Sequence, residues 1–283
     1  MLDVSIIIVN YNTLKVTQEC INSVVEKTQD IKYEIILVDN ASTDGSKEFF
    51  EKDERVKYIY SKRNGGFGYG NNLGMKVAKG KYFFLLNSDT LLVNNSIKEF
   101  YDYAEKHDSK KVYGCYLQLL NGSPARSYFF FPSFTIFSFL KRKFVDNNKE
   151  RYDYQPKSVQ VVSGANMFLN RKLFDITGGF DENIFLYGEE CEWQYRLSLY
   201  GYHAFIIPYP KIIHLEGKST QESIHKKTII LKSHFYMLKK HMLYSTYLLA
   251  RFYYACNLTL CNFKNIENTE YREYWKTIYL GKC

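Results

Sequence analysis

A chain of 283 residues with 46% hydrophobic and 24% charged side chains can bury a sizeable core, which excludes disorder and low-complexity or collagen-like structure. Six cysteines without CxxC spacing exclude a zinc ribbon, a redox dithiol and a dense disulfide framework. The net charge of +8 sits at one end: residues 223–283 hold 10 basic and 3 acidic side chains, with no carboxylate between Ser223 and Ile266.

Val4 to Val9 is a β-branched run that reads as a buried strand ending in Asn10-Tyr11-Asn12, and Thr13 can cap a helix over 14–27. Tyr33 to Val38 is a second strand, ending in Asp39 and followed by a polar helix near 46–52. Val56 to Tyr60 is a third, followed by the glycine cluster Asn64 to Gly70 and a helix to Ala78. Lys81 to Leu86 is a fourth, ending in Asn87-Ser88-Asp89-Thr90. This alternation predicts a doubly wound α/β sheet with a mostly parallel core, whose ligands sit outside the C-terminal strand ends. Beyond a helix over 94–107, strands are expected at 112–120, 158–170 and 204–207, with an apolar segment from Tyr128 to Phe144. Helices are expected over 189–200 and 223–261. Met1-Leu2-Asp3 carries no basic segment before the apolar run, so no signal peptide and a reducing cytoplasm are expected.

Several residues at these positions carry chemistry. Gly66-Phe67-Gly68-Tyr69-Gly70 lacks the GxGxxG spacing of a dinucleotide fingerprint and follows the third strand rather than the first. It reads either as a tight turn needing positive φ or as backbone approaching a phosphate or ribose. Asp39 ends an apolar strand and can accept the imide N–H of uracil or thymine, which would select a pyrimidine nucleotide. Asp89 is either a turn residue or a ligand for Mg²⁺ or Mn²⁺, with a diphosphate completing the coordination. Glu189, Glu190 and Glu192 fall in one first helical turn: they complement the helix dipole, or their crowding raises one pKa towards a general base. Arg196 is placed to pair with Glu192 at i+4. His214 is structural unless Asp89 holds a metal.

Together, Val4–Asn12, Val38–Ser46, Arg63–Asn72, Leu86–Asp89, Gly178–Glu182, Phe185–Glu190 and His214–Ser219 resemble the inverting glycosyltransferases of family two, with the GT-A fold. Among these the chain is similar to bacterial rhamnosyltransferase-like enzymes of surface-polysaccharide assembly. The resemblance implies a Rossmann-like, mostly parallel sheet flanked by helices. It implies a catalytic domain over 1–222, with a nucleotide-binding half (1–110) and an acceptor-binding half (111–222), before a basic aromatic helical extension over 223–283.

By the resemblance, Asp39 reads the base, and Asn10, Tyr11 and Asn12 line the nucleotide pocket. Asn64, Gly65, Gly66, Phe67 and Asn71 cover the ribose and diphosphate. Asn87-Ser88-Asp89 stands at the family's DxD element, with Asp89 and His214 on the metal. Gly164, Glu189, Trp193 and Arg196 lie on the acceptor side, and Glu190 is the catalytic base. The chain departs from the pattern at Asn87, which replaces the first acid, and at Glu190 and Glu192, each a methylene longer than Asp.

The implied reaction moves a sugar from a dTDP- or UDP-sugar to a hydroxyl of a glycan, carried on a polyprenyl lipid at the inner face of the membrane. The basic aromatic tail independently fits a peripheral protein on an anionic membrane surface, or else a lid or a homo-oligomer contact through the C-terminal helices. Met242 to Cys261 has the length of a span, but Arg251 near its middle argues against crossing. The alternative function is a non-catalytic nucleotide-sugar-binding scaffold of a membrane assembly complex. A nucleic-acid partner is not expected, because the first 222 residues are charge-balanced.

Overall fold

A computed structural model of the chain describes residues 2–107, 110–131, 152–215, 224–261 and 269–281. Strands β1 (Leu2–Asn10), β2 (Tyr33–Asp39), β3 (Lys57–Tyr60) and β4 (Gly80–Asn87) alternate with helices α1 (Leu14–Lys27), α2 (Ser46–Phe50) and α3 (Gly66–Val77). These four strands are parallel, in the order β3-β2-β1-β4. After β5 (Thr90–Leu92) and α4 (Ser96–Lys106), β6 (Lys111–Gln118) lies parallel to β11 (His203–His214). Between β4 and β6 runs the antiparallel β10 (Asn166–Asn170), and β5 pairs antiparallel with β11 at the sheet's edge. Strand β8 (Lys157–Val159) also pairs with β11, while β7 (Tyr128–Phe129) and β9 (Val161–Val162) form a separate ribbon. Helices α5 (Arg171–Thr177) and α6 (Glu189–Leu199) complete this part.

Side chains of a strand alternate between faces, so a run buried on both faces has no polar positions to spare. That is what β1 does. Ile6 and Ile8 pack with Ile21, Val24, Phe84, Phe100 and Phe168 on one face. Ile7 packs with Met75, Phe83, Leu85, Phe180 and Trp193 on the other.

The chain divides into two compact units. The sheet and α1 to α6 form the first. The second contains α7 (Ile224–His241), α8 (Tyr244–Cys261) and α9 (Thr269–Leu280) around Leu231, Phe235, Leu238, Tyr247, Ala250 and Ile278. Ile184–Gly188 belongs to this helical unit, where the Ser233 hydroxyl donates to Leu186 O at 3.1 Å. No helix among the described residues is long and apolar enough to cross a membrane. The expected boundary at 222/223, the apolar segment beyond Phe131 and most of the His214–Ser219 motif lie outside the described residues.

Four local expectations are corrected. The Thr13 side chain donates to Asn10 rather than capping α1; Asp44, from another loop, accepts from Leu14 N at 2.9 Å instead. The strand expected over 158–170 is broken into β8, β9 and β10, with Ser163-Gly164-Ala165 between the last two. The strand expected over 204–207 runs on to His214, past Pro208 and Pro210, with a register shift between Ile207 and Ile212. The helix expected over 223–261 is interrupted at Met242-Leu243.

The glycine cluster is not a loop. Helix α3 starts at Gly66, the only one of Gly65, Gly66, Gly68 and Gly70 with positive φ (89°). Gly68 and Gly70 lie within the helix, where a Cβ would sit 2.8 Å from Phe180 Cβ and 2.7 Å from Val9 Cγ1. Close packing of α3 on the Phe180 turn and on β1 therefore explains these two glycines.

Gly80 is tighter still, because the obstacle is backbone: its Cβ would lie 2.4 Å from Ser5 N. Gly80→Ala must separate β1 from β4, and overpacking of this kind costs about 1–3 kcal/mol. Urea unfolding should show a lower midpoint for Gly80→Ala. An unchanged midpoint would mean that the two strands are not held this closely.

Candidate active site

The C-terminal end of β1 is built by its own amide. Asn10 Oδ1 accepts from the Thr13 and Thr17 hydroxyls at 2.9 and 2.8 Å, and its Nδ2 donates to Ser42 Oγ at 3.0 Å. Asn12, at φ 53°, donates its N–H to the same Ser42 Oγ and accepts from Thr43 N at 2.7 Å. Asn10 is buried; Tyr11 is 48% exposed, and Asn12 is exposed as well although its backbone and side chain are bonded to the 42–43 loop. The two asparagines clamp the loop, and Tyr11 adds exposed aromatic surface beside them.

Asp39 lies beside Asn10 in the β1–β2 register and is fully buried. Its Oδ1 accepts from Ser42 N and its Oδ2 from Tyr58 OH, each at 2.8 Å. Those donors satisfy part of a buried carboxylate's requirement and fix its orientation, leaving lone pairs to accept more. Burial, then the bond to Asp39, pushes the Tyr58 hydroxyl pKa well up, so it remains the donor. Tyr58 and Ser42 were not legible as site residues, because neither stands at a strand end.

Helix α3 begins at the neighbouring strand ends. Asn64 Oδ1 accepts from Gly66 N at 3.0 Å, and Asn40 Nδ2 donates to Gly66 O at 2.9 Å. Gly65 lies under the Tyr69 ring, which in turn carries the Arg63 guanidinium 4.7 Å from its centroid. Asn71 is buried and donates to Phe67 O at 3.0 Å; its Oδ1 has no hydrogen-bond partner. Asn72, which the sequence did not single out, bonds both the N–H and the carbonyl of Phe180 and reaches Glu182 at 3.0 Å. It fixes the Gly178–Glu182 segment.

Strand pairing brings the two candidate metal ligands together. His214 is opposite Thr90 in the β5–β11 register, and Leu215 N donates to Asp89 O at 2.8 Å. His214 Nε2 then lies 3.2 Å from Asp89 Oδ1. Asn87 N donates to Ala165 O at 3.1 Å, and Ser88 Oγ is 3.5 Å from Thr13 Oγ1. No group of three or more His, Cys, Asp or Glu suited to a metal occurs among the described residues. One carboxylate and one imidazole fit a divalent cation that takes its other ligands from phosphate and water.

The three glutamates of α6 occupy three environments. Glu192 is buried and paired with Arg196 at 2.9 Å. Arg196 also donates to Thr177 O and Gly179 O, and the buried Trp193 donates from Nε1 to Thr177 Oγ1 at 2.8 Å. Trp193 and Arg196, expected on the acceptor side, anchor α6 to the turn after α5. Glu189 is buried with no hydrogen-bond partner for Oε2, and burial, then the Glu190 charge, raises its pKa well above the usual carboxylate range. Glu190 is half-buried. A Cβ on Gly164 would lie 3.8 Å from Glu190 Cβ and 3.3 Å from Phe67 Cε1, so the glycine loop touches both the α6 acid and the start of α3.

A further residue that the sequence did not reveal holds that loop. Gln194, one turn beyond Glu190, accepts from Val162 N and donates to Val162 O, both at 2.8 Å. An unpaired buried backbone group costs about 1–3 kcal/mol, so this amide secures the segment entering Ser163-Gly164. Its i+4 spacing from Glu190 was readable, but its partner in the β7–β9 ribbon was not.

The sheet, its antiparallel insertion and the acids at its strand ends define a GT-A fold. The chain belongs to Glycosyl transferase family 2, whose model matches residues 5–177. It is 35% identical over 117 residues to glycosyltransferase GlyG of Streptococcus pneumoniae serotype 4, covering 40% of this chain and 38% of GlyG. It is 26% identical over 202 residues to Agl10 of Haloferax volcanii, a low-salt glycan biosynthesis hexosyltransferase, covering 69% of this chain and 61% of Agl10. The chain thus spans under two thirds of each relative. GalNAc-T7, solved with UDP, GalNAc and Mn²⁺, superimposes with a TM-score of 0.65 at 18% identity, over 84% of this chain and 48% of that one. The mannosyltransferase PcManGT from Pyrobaculum calidifontis, in complex with GDP-Man and Mn²⁺, gives 0.60 at 14%, over 86% and 67%.

Glu189 provides a test of these environments. A carboxyl whose folded-state pKa is raised contributes stability that is full below the ordinary carboxylate range and is lost as pH rises through the folded-state pKa. Glu189→Gln keeps the neutral shape and removes that loss. Its thermal midpoint should therefore gain on the wild type from about pH 5 upwards. A constant difference across pH would show that Glu189 does not titrate abnormally.

Proposed function

We propose that the protein is an inverting, divalent-metal-dependent hexosyltransferase. It moves a sugar from a pyrimidine nucleotide-sugar, dTDP-rhamnose or a UDP-sugar, to a hydroxyl of a growing surface polysaccharide. The acceptor is carried on a polyprenyl lipid, and the enzyme works peripherally at the inner face of the membrane. The observation that carries this reading is the Gly164 loop in contact with both Phe67, at the start of α3, and Glu190. A donor at the strand ends and an acceptor approaching Glu190 would meet there.

In the reaction, the acceptor hydroxyl oxygen attacks the anomeric carbon while Glu190 takes its proton. The bond from that carbon to the diphosphate oxygen breaks, and its electron pair leaves with the nucleoside diphosphate. One displacement inverts the configuration, and no covalent intermediate on the protein is needed. Asp39 holds the base through its imide N–H, and Tyr11 supplies exposed aromatic surface beside it. Mg²⁺ or Mn²⁺ held by Asp89 and His214 would supply positive charge to the leaving diphosphate. Burial raises the Glu189 carboxyl well above the usual carboxylate range, which disfavours a second negative charge beside the base.

Loss of a general base typically costs about 10²–10⁴ in rate. Glu190→Gln should lose transfer by that order while binding UDP or dTDP normally. Asp89→Ala should lose metal-dependent donor binding together with turnover. Asp39→Ala should weaken UDP and dTDP binding in calorimetry, and GDP should bind poorly to the wild type. Full transfer by Glu190→Gln would refute its role as base. Metal-dependent donor binding with neither donor hydrolysis nor transfer would favour the scaffold function instead.

A further inference from the structure

Helix α8 turns an uncharged face to solvent. Tyr247 and Ala250 lie in the core of the helical unit, with Tyr254 packed against it. On the opposite side Tyr244, Leu248, Leu249 and Phe252 are exposed, Phe252 by 70%, and Leu243 just before the helix by 77%. Most apolar groups of this size are covered in a folded chain, and a contiguous exposed set marks an interaction surface. The cation of this stretch does not interrupt the face: Arg251 donates from Nε to Ile278 O at 2.9 Å and from a terminal nitrogen to Tyr279 O, at the end of α9.

The charge beside this face has one sign. Lys239 and Lys240 are exposed in the last turn of α7, within four residues of Leu243. No Asp or Glu occurs from Ser223 to Ile266. Glu273, the acid described on α9, is engaged by Lys232 at 2.6 Å. An anionic, apolar-cored partner matches such a surface. A second copy of the same face would bring lysines against lysines.

We propose that the exposed face of α8, with Leu243, inserts into the interface of an anionic phospholipid bilayer while Lys239 and Lys240 contact the headgroups. Tyr and Phe suit this depth because an amphipathic helix lies in the headgroup–acyl boundary rather than spanning the core. The inference deepens the membrane-carried acceptor proposed above and rests on that reading; it assigns the attachment to one helix face.

The test uses the full chain with vesicles of phosphatidylglycerol in phosphatidylcholine, against phosphatidylcholine alone. Wild-type protein should co-sediment with the anionic vesicles only, and about 1 M salt, which shortens screening to about 3 Å, should weaken binding. Leu249→Glu with Phe252→Glu should reduce partition roughly tenfold or more, since it removes buried apolar area and adds like charge. Lys239→Gln and Lys240→Gln should each cost about fivefold, the equivalent of about 1 kcal/mol per surface lysine. Phe252→Trp should shift its emission to the blue on the anionic vesicles. All variants should bind UDP or dTDP as the wild type does, which shows that the sheet unit is intact, and should keep the wild type's far-ultraviolet circular dichroism, which shows that the helices are. Vesicle binding unaffected by Leu249→Glu with Phe252→Glu, or no emission shift at Trp, would overturn the proposal. So would a dimer in sedimentation that the same double variant dissociates. Failure of donor binding with vesicle binding intact would instead refute the catalytic reading and leave this surface standing.

Discussion

Helix α3 and strand β1 touch without a Cβ between them at two successive points, and the site depends on that contact. A Cβ on Gly70 would lie 2.7 Å from Val9, and one on Gly74 would lie 2.5 Å from Ile7. Four helical residues rise about 6 Å and two strand residues about 6.6 Å, so a glycine every fourth residue matches every second strand side chain. The helix descends the strand in register, and its first turn is fixed beside Asn10 and Asp39. A larger residue at either glycine would lift this end of the helix from the strand ends. The same economy recurs beneath, where Gly80 lets β4 close on the backbone of Ser5.

With the backbone fixed so closely, the acids are distinguished by what surrounds them. Asp39 is buried but accepts from a backbone N–H and a tyrosine hydroxyl, which fix its orientation. Glu192 is buried against an arginine that is itself held by two carbonyls. Breaking such a pair by removing one partner costs about 3–5 kcal/mol, which makes it an anchor rather than a reactive group. Burial, then the Glu190 charge, raises the Glu189 carboxyl well above the usual carboxylate range. Glu190, half-buried against the glycine loop, is the member of the group best suited to exchange a proton with something outside the protein.

The sheet was legible because its signal is local. Ile6 to Val9, Ile35 to Val38 and Tyr82 to Leu86 are apolar at every position, and only a doubly covered strand satisfies such a run. Asp39 and Asp89 were legible for a related reason, since each carboxylate ends such a run. The ends of long-range pairs were not legible. That His214 stands beside Asp89 was implied by the resemblance and not by any local pattern: it follows from β5 pairing with β11, and Pro208 and Pro210 hid the continuity of that strand. Tyr58, Asn72 and Gln194 act on residues 19, 108 and 32 positions away, and no periodicity encodes those partners. The glycine cluster was found but its purpose was divided: Gly66 needs its positive φ, whereas Gly68 and Gly70 need the absence of a side chain.

The polar residues of the recurring segments therefore serve two purposes that their spelling does not separate. Asn10, Asn12 and Asn64 spend hydrogen-bonding capacity on loop backbone and neighbouring hydroxyls, while Tyr11 remains exposed beside them. A buried amide that closes a loop is as demanding of its identity as one that grips a ligand, because an orphaned partner costs about 1–3 kcal/mol in either case. The direction of each bond separates the two purposes. Asn10, Asn12 and Asn64 bond back to the loops at the strand ends and frame them. Tyr11, the remaining lone pairs of Asp39, the Asp89–His214 pair and Glu190 are what that frame leaves for a ligand in the function proposed above.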